Sequence, residues 1–342
     1  MSDPPVLRRN TTGILGGVPM SAADSMHQRI IDRLDFESYK DLVRGLTQFG
    51  DREQGTPRNE AAIDWIEERL QSWGYETERL DYEYTPRVRR GDPPLPPEPR
   101  QEVYATKVGT TNPGEMYIVS GHMDGRGRGE AANDDGSGTA LVMEIARVLA
   151  EDDVETDRSI RFALWNNEET GLNGSRAYVE QRAALQGIED PPGSGRYPEP
   201  RWLGMIQHDM MMWDHGNPVQ YDQALDADVD VEYQLNSEMA DESALLGLVL
   251  INANRLHASD YPAVLSNAMS NTDSTPFMDL VPSVSLRENR RLYETGNRAN
   301  PHWHQTTDLF ETFSDADFAL GLNAAQTTLG ALTKLAGIRL VE

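Results

Sequence analysis

The chain contains no cysteine, and this absence excludes several kinds of chemistry at once. Disulfide bonds, thiolate nucleophiles, iron–sulfur clusters and cysteine-ligated zinc are all ruled out. A metal ion in this protein must therefore be held by histidine, aspartate or glutamate side chains. Long hydrophobic runs are also missing, because no stretch approaches the roughly 18 consecutive apolar residues of a membrane-spanning helix.

Lysine is nearly absent, with three residues at Lys40, Lys107 and Lys334, so arginine supplies most of the positive charge. The 31 basic residues face 56 acidic ones, which gives the 342-residue chain a net charge of −25. Such a negative surface repels phosphate groups, so we expect binding to neither nucleic acid nor a membrane. Hydrophobic residues make up 38% of the chain, which is enough for a substantial core.

The N-terminal segment shows no sustained periodicity and predicts an arm over residues 1–25. Residues 11–20 are broken by glycine and threonine and are too weakly apolar for the core of a signal peptide. The sequence as written therefore predicts a cytoplasmic protein, or a secreted one if an export signal preceded it. It indicates nothing about oligomeric state.

Periodic apolar residues predict an alternation of helices and strands along the rest of the chain. Helices are predicted from Phe36 onward and near 62–73, 141–149, 172–181, 243–256 and 318–338. Strands are predicted near 75–80, 116–120, 160–164, 202–207 and 281–286. This alternation predicts an α/β fold, a single three-layer α/β/α domain over residues 26–342 around a mostly parallel mixed sheet. Loop insertions are predicted near 86–103, 187–201 and 214–242.

Residues that bind metals follow the predicted strands in a regular way. In chain order they are His122, Asp124, Asp134, Asp135, Glu168, Glu169, Asp209, His302 and His304. Each motif alone also fits a turn, a helix cap or a solvated charge. Because the carboxyl ends of parallel strands meet at one edge of a sheet, these side chains are expected to converge there. In a protein without cysteine, that convergence predicts zinc or a similar divalent ion.

The motifs in this order resemble the di-zinc exopeptidases of metallopeptidase family twenty-eight, in particular the bacterial secreted leucyl aminopeptidase type. The resemblance runs from about Phe36 to Ile338 and includes the stretch Gly50–Pro57, which is similar to a turn ahead of the catalytic motifs. It implies a zinc-exopeptidase fold. It also implies a hydrolase that releases N-terminal residues from peptides through a hydroxide bridging two metal ions.

The resemblance further implies a role for each site residue. The ligands it implies for two zinc ions, or for other divalent metals, are His122 and Asp209 for one, Glu169 and His304 for the other, and Asp134 as the bridge. Glu168 would be the catalytic base that takes the proton of the attacking water. Asp124 would fix the tautomer of His122.

Four further residues are predicted to contact substrate, in an apolar pocket beside the metals. They are Met210, Tyr293, Trp303 and Phe277. Members of the family often have an Asp-His pair ahead of a phenylalanine in this late loop. Here the segment Asp273–Phe277 contains no histidine, so no histidine contact to substrate is inferred there.

Three alternatives to an aminopeptidase remain open at this point. A carboxypeptidase or dipeptidase would use the same metals and would need arginines to bind a carboxylate; Arg287, Arg290, Arg291 and Arg298 are candidates. A glutaminyl cyclase would use one zinc ion, and the complete ligand set argues against it. A non-catalytic relative would have lost ligands, and none is missing. The negative charge favours a substrate with a free α-ammonium group.

Overall fold

A computed structural model describes residues 22–213, 229–288 and 300–341. The helices are α1 (Ala22–Ile31), α2 (Phe36–Thr47), α3 (Pro57–Ser72), α4 (Gly136–Leu149), α5 (Asn173–Arg182), α6 (Ala240–His257) and α7 (Asp315–Leu332). The strands are β1 (Thr77–Tyr84), β2 (Glu98–Lys107), β3 (Asn112–His122), β4 (Val154–Glu155), β5 (Arg158–Trp165), β6 (Arg201–His208), β7 (Val229–Glu232), β8 (Ala263–Ser266), β9 (Ser283–Arg287) and β10 (Arg339–Leu340). None of the helices within these ranges is long and apolar enough to cross a membrane.

The described strands form one mixed sheet in the order β1-β2-β5-β3-β6-β9-β7-β8, and β4 pairs separately with β10. The four central strands β5, β3, β6 and β9 are parallel neighbours. Strands β1 and β2 add an antiparallel edge, and β7 runs antiparallel to β9 before pairing in parallel with β8. The predicted mixed, mostly parallel sheet is confirmed. Its four central strands end along the same edge, where ligand residues can meet.

Both faces of the sheet are covered, as the prediction of three layers requires. Along β5, Phe162 and Leu164 join the large hydrophobic cluster that contains residues of α2, α3, α4, α6 and α7. Trp165 lies on the opposite face in a second cluster, together with Tyr178 of α5. Alternate residues of a strand point to opposite faces, so one short apolar strand supplies both cores.

Two predicted segment boundaries at the N-terminal half need correction. Helix α1 begins at Ala22, inside the range 1–25 that was predicted as an arm, and residues 1–21 lie outside the described residues. The insertion near 86–103 is shorter than predicted, since β2 begins at Glu98. Strand β2 was missed because its apolar stretch, residues 103–105, is brief and is preceded by the charged residue Glu102, which is fully buried.

The predicted insertion near 214–242 contains a strand of the main sheet. Strand β7 lies between β9 and β8, and α6 begins at Ala240. The acidic residues of β7 hide it in the sequence, yet Asp230 and Glu232 are buried. Ser266 donates a hydrogen bond of 3.1 Å to Asp230, and the Nε of Arg287 lies 3.5 Å from Glu232. Residues 214–228 lie outside the described part of the chain.

Candidate metal centre

The candidate ligands lie at the carboxyl edge of the parallel strands. His122 is the last residue of β3, and Asp209 directly follows the last residue of β6. Glu168 and Glu169 lie three and four residues beyond the end of β5. Because β5, β3 and β6 are adjacent in the sheet, these side chains reach a common space above the strand ends. His304 enters the same space from the loop that precedes α7.

Asp134 lies between two histidines and presents one carboxylate oxygen to each. Its Oδ1 is 3.3 Å from His122 Nε2, and its Oδ2 is 3.0 Å from His304 Nε2. His304 Nε2 is also 3.2 Å from Glu169 Oε2, and His122 Nε2 is 3.9 Å from Asp209 Oδ1. The five residues predicted as metal ligands are thus brought together, with Asp134 at the centre.

These side chains form two sets of three with donor atoms close enough to hold metal ions. In one set, ligand atoms of Asp134, Glu169 and His304 lie within 4.8 Å of one another, and in the other those of His122, Glu168 and Asp209 do so. Glu168, predicted as a base, therefore also lies within ligand distance of a metal at His122.

The chemistry of the donors fits divalent cations. Carboxylates and imidazoles are the ligands that zinc accepts when cysteine is absent. The Oε1 atom of Glu169 is buried and accepts no hydrogen bond from a described residue. Leaving a buried carboxylate oxygen without a partner is costly, and a cation bound between Glu169 and Asp134 would remove that cost.

The carboxylates of the site raise the pKa of both histidines, so the site favours positive charge. Burial lowers the pKa of His304, but its hydrogen bonds to Asp134 and Glu169 outweigh burial and raise the pKa to about 9. The pKa of His122 is likewise raised, because nearby carboxylates led by Glu168 overcome its burial. Burial raises the pKa of Glu168 well above its usual range.

Asp135 ties together the segments that carry the ligands. One oxygen accepts the backbone N–H of His122 at 2.9 Å, and the other accepts those of Gly138 at 2.9 Å and Met210 at 3.1 Å. The carboxylate therefore joins the end of β3, the first turn of α4 and the residue after Asp209. The hydrogen bond to Gly138 also caps the helix, as expected for Asp at this position.

Asp124 holds the Glu168–Glu169 segment in place. Its two carboxylate oxygens accept the N–H groups of Glu168 at 3.0 Å and Glu169 at 3.3 Å. His122 Nδ1 lies 3.1 Å from the main-chain oxygen of Asp124 and 3.6 Å from its carboxylate. The orientation of His122 thus rests on the carbonyl group, while the carboxylate supports the neighbouring loop.

Two residues that support the site were not predicted from the sequence. Arg52 is fully buried and donates to the main-chain oxygens of Met123 at 2.7 Å, Glu130 at 2.8 Å and Ala131 at 2.7 Å. Asp308 accepts the N–H groups of Asn133 at 2.8 Å and Asp134 at 3.1 Å. Both residues bind backbone groups that are far away in the chain. Such contacts leave no signal in the neighbouring sequence.

Arg287 is a buried cation next to a predicted ligand. It is 3% exposed, and its Nη2 lies 3.0 Å from Asp209 Oδ2. Burial lowers the pKa of Arg287, but Asp209 and Glu232 outweigh burial and keep the guanidinium charged. Arg287 was a candidate for binding a substrate carboxylate under the carboxypeptidase alternative, and in the structure its guanidinium already lies beside two carboxylates of the protein. Arg290, Arg291 and Arg298 lie outside the described residues.

The backbone around the site is strained at several positions, and three of them concern the candidate ligands. Asn167, Met210 and His304 have φ angles of 64°, 65° and 56°, in the left-handed region that costs non-glycine residues about 1–3 kcal/mol each. His304 is a predicted ligand, Asn167 is adjacent to Glu168, and Met210 is adjacent to Asp209. Strain of this kind persists where surrounding bonds over-determine the conformation, as those of Asp124 and Asp135 do here.

A cavity of about 580 Å³ opens above the metal centre. Its described lining comprises Tyr84, Pro86, Arg87, His122, Arg126, Asp134, Glu168, Glu169, Thr170, Gly171, Asp209, Asn271, Trp303 and His304. Of the predicted substrate residues, Trp303 lines the cavity, with its ring 4.3 Å from the imidazole of His304. The volume suits a small ligand or the end of a peptide.

Phe277 and Met210 do not line the described cavity. Phe277 is fully buried and packs against Trp165 and Trp202 in the second hydrophobic cluster, so its predicted contact with substrate is wrong. Met210 is 1% exposed and acts through its N–H group, which Asp135 accepts. Tyr293 lies outside the described residues. The described part of the cavity wall is mainly polar, with Trp303 as the one predicted substrate residue among the described lining.

The fold and the carboxylate–histidine centre define the class of α/β proteins with a candidate metal centre at the carboxyl edge of a central mixed sheet. The sequence pattern of peptidase family M28 matches residues 102–325, which is well over half of the chain. The protein belongs to this family.

Relatives of known name support the same assignment at lower coverage. A probable zinc metalloprotease of Pyrenophora tritici-repentis is 29% identical over 180 residues, which cover 48% of this chain and 36% of that protein. A probable lipoprotein aminopeptidase of Mycobacterium tuberculosis is 38% identical over 91 residues, which cover 26% of this chain and 18% of that protein. The chain thus spans little more than a third of the length of the first of these relatives and less of the second.

Solved structures extend the similarity of the fold to nearly the whole chain. An aminopeptidase from Aneurinibacillus sp. strain AM-1 has a TM-score of 0.65 at 17% identity, covering 92% of this chain and 97% of that one. A glutaminyl cyclase from Porphyromonas gingivalis has a TM-score of 0.61 at 20% identity, covering 89% of this chain and 99% of that one. Proteins of two different activities therefore share this fold.

Proposed function

We propose that this protein is a zinc-dependent exopeptidase that releases N-terminal residues from peptides. The observation that carries the proposal is the position of Asp134, with one oxygen facing His122 and the other facing His304. A carboxylate placed in this way suits two metal ions that share an anion, and we propose two Zn²⁺ as the cofactor. His122 and Asp209 would hold one, Glu169 and His304 the other.

Zinc bound there would supply Lewis acidity, polarising the scissile carbonyl group and activating water. The chain's own residues would handle the proton. Glu168 borders the cavity, where its carboxylate would accept the proton of the attacking water. It then delivers the proton to the leaving amine. Asp124 keeps Glu168 in position through the backbone hydrogen bond.

The glutaminyl cyclase fold neighbour represents a second chemistry for this fold. A cyclase acting with one zinc ion does not require a carboxylate that faces two histidines, as Asp134 does here. The described site therefore favours the hydrolase. Measured metal content distinguishes them, since the exopeptidase proposal expects two zinc ions per chain and the cyclase expects one.

The test of this function is digestion of one decapeptide in free, N-acetylated and C-amidated forms, followed by mass spectrometry with and without a chelator. An aminopeptidase removes residues from the free and amidated forms, leaves the acetylated form intact and loses all activity with chelator. Cleavage that is blocked by amidation instead would identify a carboxypeptidase and overturn the proposal.

The variant Glu168→Gln separates catalysis from metal binding. Because Glu168 would carry the proton, its loss should lower kcat by about 10²–10⁴-fold. Zinc content should stay at the wild-type value, since five other ligands remain. A Glu168→Gln protein with wild-type turnover would refute the role of Glu168. Loss of one zinc ion would make it a ligand.

A further inference from the structure

The cavity wall contains two arginines that the catalytic proposal does not use. Arg87 follows β1 and is exposed, and Arg126 lies in the loop after Asp124, with 51% of its side chain exposed. Four carboxylates also border the cavity, those of Asp134, Glu168, Glu169 and Asp209, and all of them belong to the metal centre. Outside that centre, the charged residues of the described wall are therefore both cationic.

This arrangement is the reverse of what the net charge of −25 led us to expect. An acidic rim would favour the α-ammonium group of a substrate. The described wall instead adds positive charge beside a centre that would itself hold dications. A guanidinium group binds a carboxylate through two parallel N–H donors, a geometry that ammonium groups do not match.

Arg87 is available for such a contact. Among the described residues it has no ion-pair partner, although the chain carries 56 acidic residues. Its Nη2 lies against Gly171, where an added Cβ atom would come within 2.9 Å. Gly171 has a φ of 132°, which only glycine adopts easily, and the missing side chain leaves room for the guanidinium at the cavity wall.

Arg126 is partly engaged and partly free. Its Nη1 donates to Glu169 Oε2 at 3.0 Å and to the main-chain oxygen of Glu169 at 3.1 Å. Its Nε and Nη2 groups donate to no described residue, so one edge of the guanidinium stays open. These contacts place Arg126 on the Glu169 side of the centre, and Arg87 lies near Gly171, two residues further along the same loop.

We propose that Arg87 and Arg126 form a carboxylate-binding wall, and that this site selects substrates with a carboxylate close to the scissile bond. The carboxylate is either the α-carboxylate of a dipeptide or an acidic side chain of a longer peptide. Thr170 and Asn271 line the same cavity and offer further hydrogen bonds. This inference rests on the proposed exopeptidase function and narrows its substrates.

The test compares matched substrates that differ in one carboxylate. Leu-Leu against Leu-Leu-amide probes the α-carboxylate, and Glu-Leu-amide against Gln-Leu-amide probes the side chain. We expect the zinc-loaded wild-type protein to favour the carboxylate member of one pair by about tenfold or more in kcat/KM, as charge-assisted hydrogen bonds of this kind provide. The pair that shows the preference identifies the source of the carboxylate.

Variants assign the preference to the wall. Arg87→Gln should reduce the ratio of the two kcat/KM values about tenfold, since it removes a charged donor and keeps a polar side chain of similar reach. Arg89→Gln is the matched control, because Arg89 is an exposed arginine of the same segment that is absent from the cavity lining. It should keep the wild-type ratio. Equal ratios in the wild type and in Arg87→Gln would overturn the proposal.

A binding measurement separates this proposal from the proposed function. Titration calorimetry of zinc-loaded Glu168→Gln with Leu-Leu and Leu-Leu-amide, and with the Glu/Gln pair, reports affinity without turnover. Tighter binding of a carboxylate member by a protein whose wild-type form cleaves nothing supports the wall and refutes the peptidase. Turnover by the wild type with no carboxylate preference in rate or affinity supports the peptidase and refutes the wall.

Discussion

Replacing Arg287 tests whether the buried guanidinium group and a bound metal ion both stabilise the carboxylate of Asp209. The guanidinium is 3% exposed and lies 3.0 Å from Asp209, so Arg287→Met leaves that buried charge without its partner. Breaking a buried ion pair in this way costs about 3–5 kcal/mol. For 342 residues the unfolding entropy is about 0.7 kcal/mol/K, so each kcal/mol corresponds to about 1.4 °C of Tm. In chelator, Tm should therefore fall by about 4–7 °C.

Zinc should reverse part of this loss. A divalent ion at Asp209 replaces the missing positive charge, so the rise in Tm on adding zinc should be larger in Arg287→Met than in the wild type. Differential scanning calorimetry in chelator and in zinc measures both differences.

The control is Arg161→Met, which breaks another buried pair, since Arg161 is 2% exposed and its Nη1 lies 2.5 Å from Glu199. That pair is remote from the metal centre, so its loss should lower Tm equally with and without zinc. If Arg287→Met also loses the same amount in both conditions, Arg287 and the metal do not share Asp209 and our electrostatic account is refuted.

Two further predictions concern packing and pH. Gly121→Ala puts a Cβ atom 2.7 Å from the backbone of Gly138, which pushes the end of β3 away from α4. We expect the free energy of unfolding to fall by about 1–3 kcal/mol and calorimetry to show weaker zinc binding. Unchanged zinc affinity would show that the contact does not position His122. Burial lowers the pKa of His257 to about 4, so the folded protein keeps this group neutral while the unfolded chain takes up a proton below its ordinary pKa of 6.5. Stability is complete above about pH 6.5 and falls towards pH 4, with a slope from this group of at most about 1.4 kcal/mol per pH unit. His257→Gln should flatten urea-derived stability across that window, and an unchanged slope would contradict the assignment.

The sequence was sufficient to predict the central strands and the candidate metal-binding residues that follow them, because both signals are local. A buried parallel strand is a short apolar run, and its ligands follow within a few residues, as in the segment from Met116 to His122. Strands β2 and β7 were missed because buried charges interrupt them. Glu102 and Asp230 accept hydrogen bonds from Asn166 and Ser266, which are distant in the chain and cannot be recognised from neighbouring residues.

The residues that support the site, and those that line the cavity, were harder to predict because they too depend on contacts between distant parts of the chain. Arg52 donates hydrogen bonds to backbone oxygens more than 70 residues away in the chain. The two N–H groups that donate to Asp308 are more distant still. Phe277 and Met210 were predicted as substrate contacts from their residue type and their position near sequence motifs of the site. Whether an apolar residue faces a cavity or a core depends on the packing of several elements, which residue type does not determine.

The bonds made by Asp135 have a consequence for how single substitutions act on the candidate site. Its carboxylate joins the segments of His122, Gly138 and Met210 through the protein's own hydrogen bonds. One residue therefore connects the end of β3, the first turn of α4 and the segment after β6. Losing this one carboxylate would release three segments of the site at once, whereas losing any one of its partners would release only one.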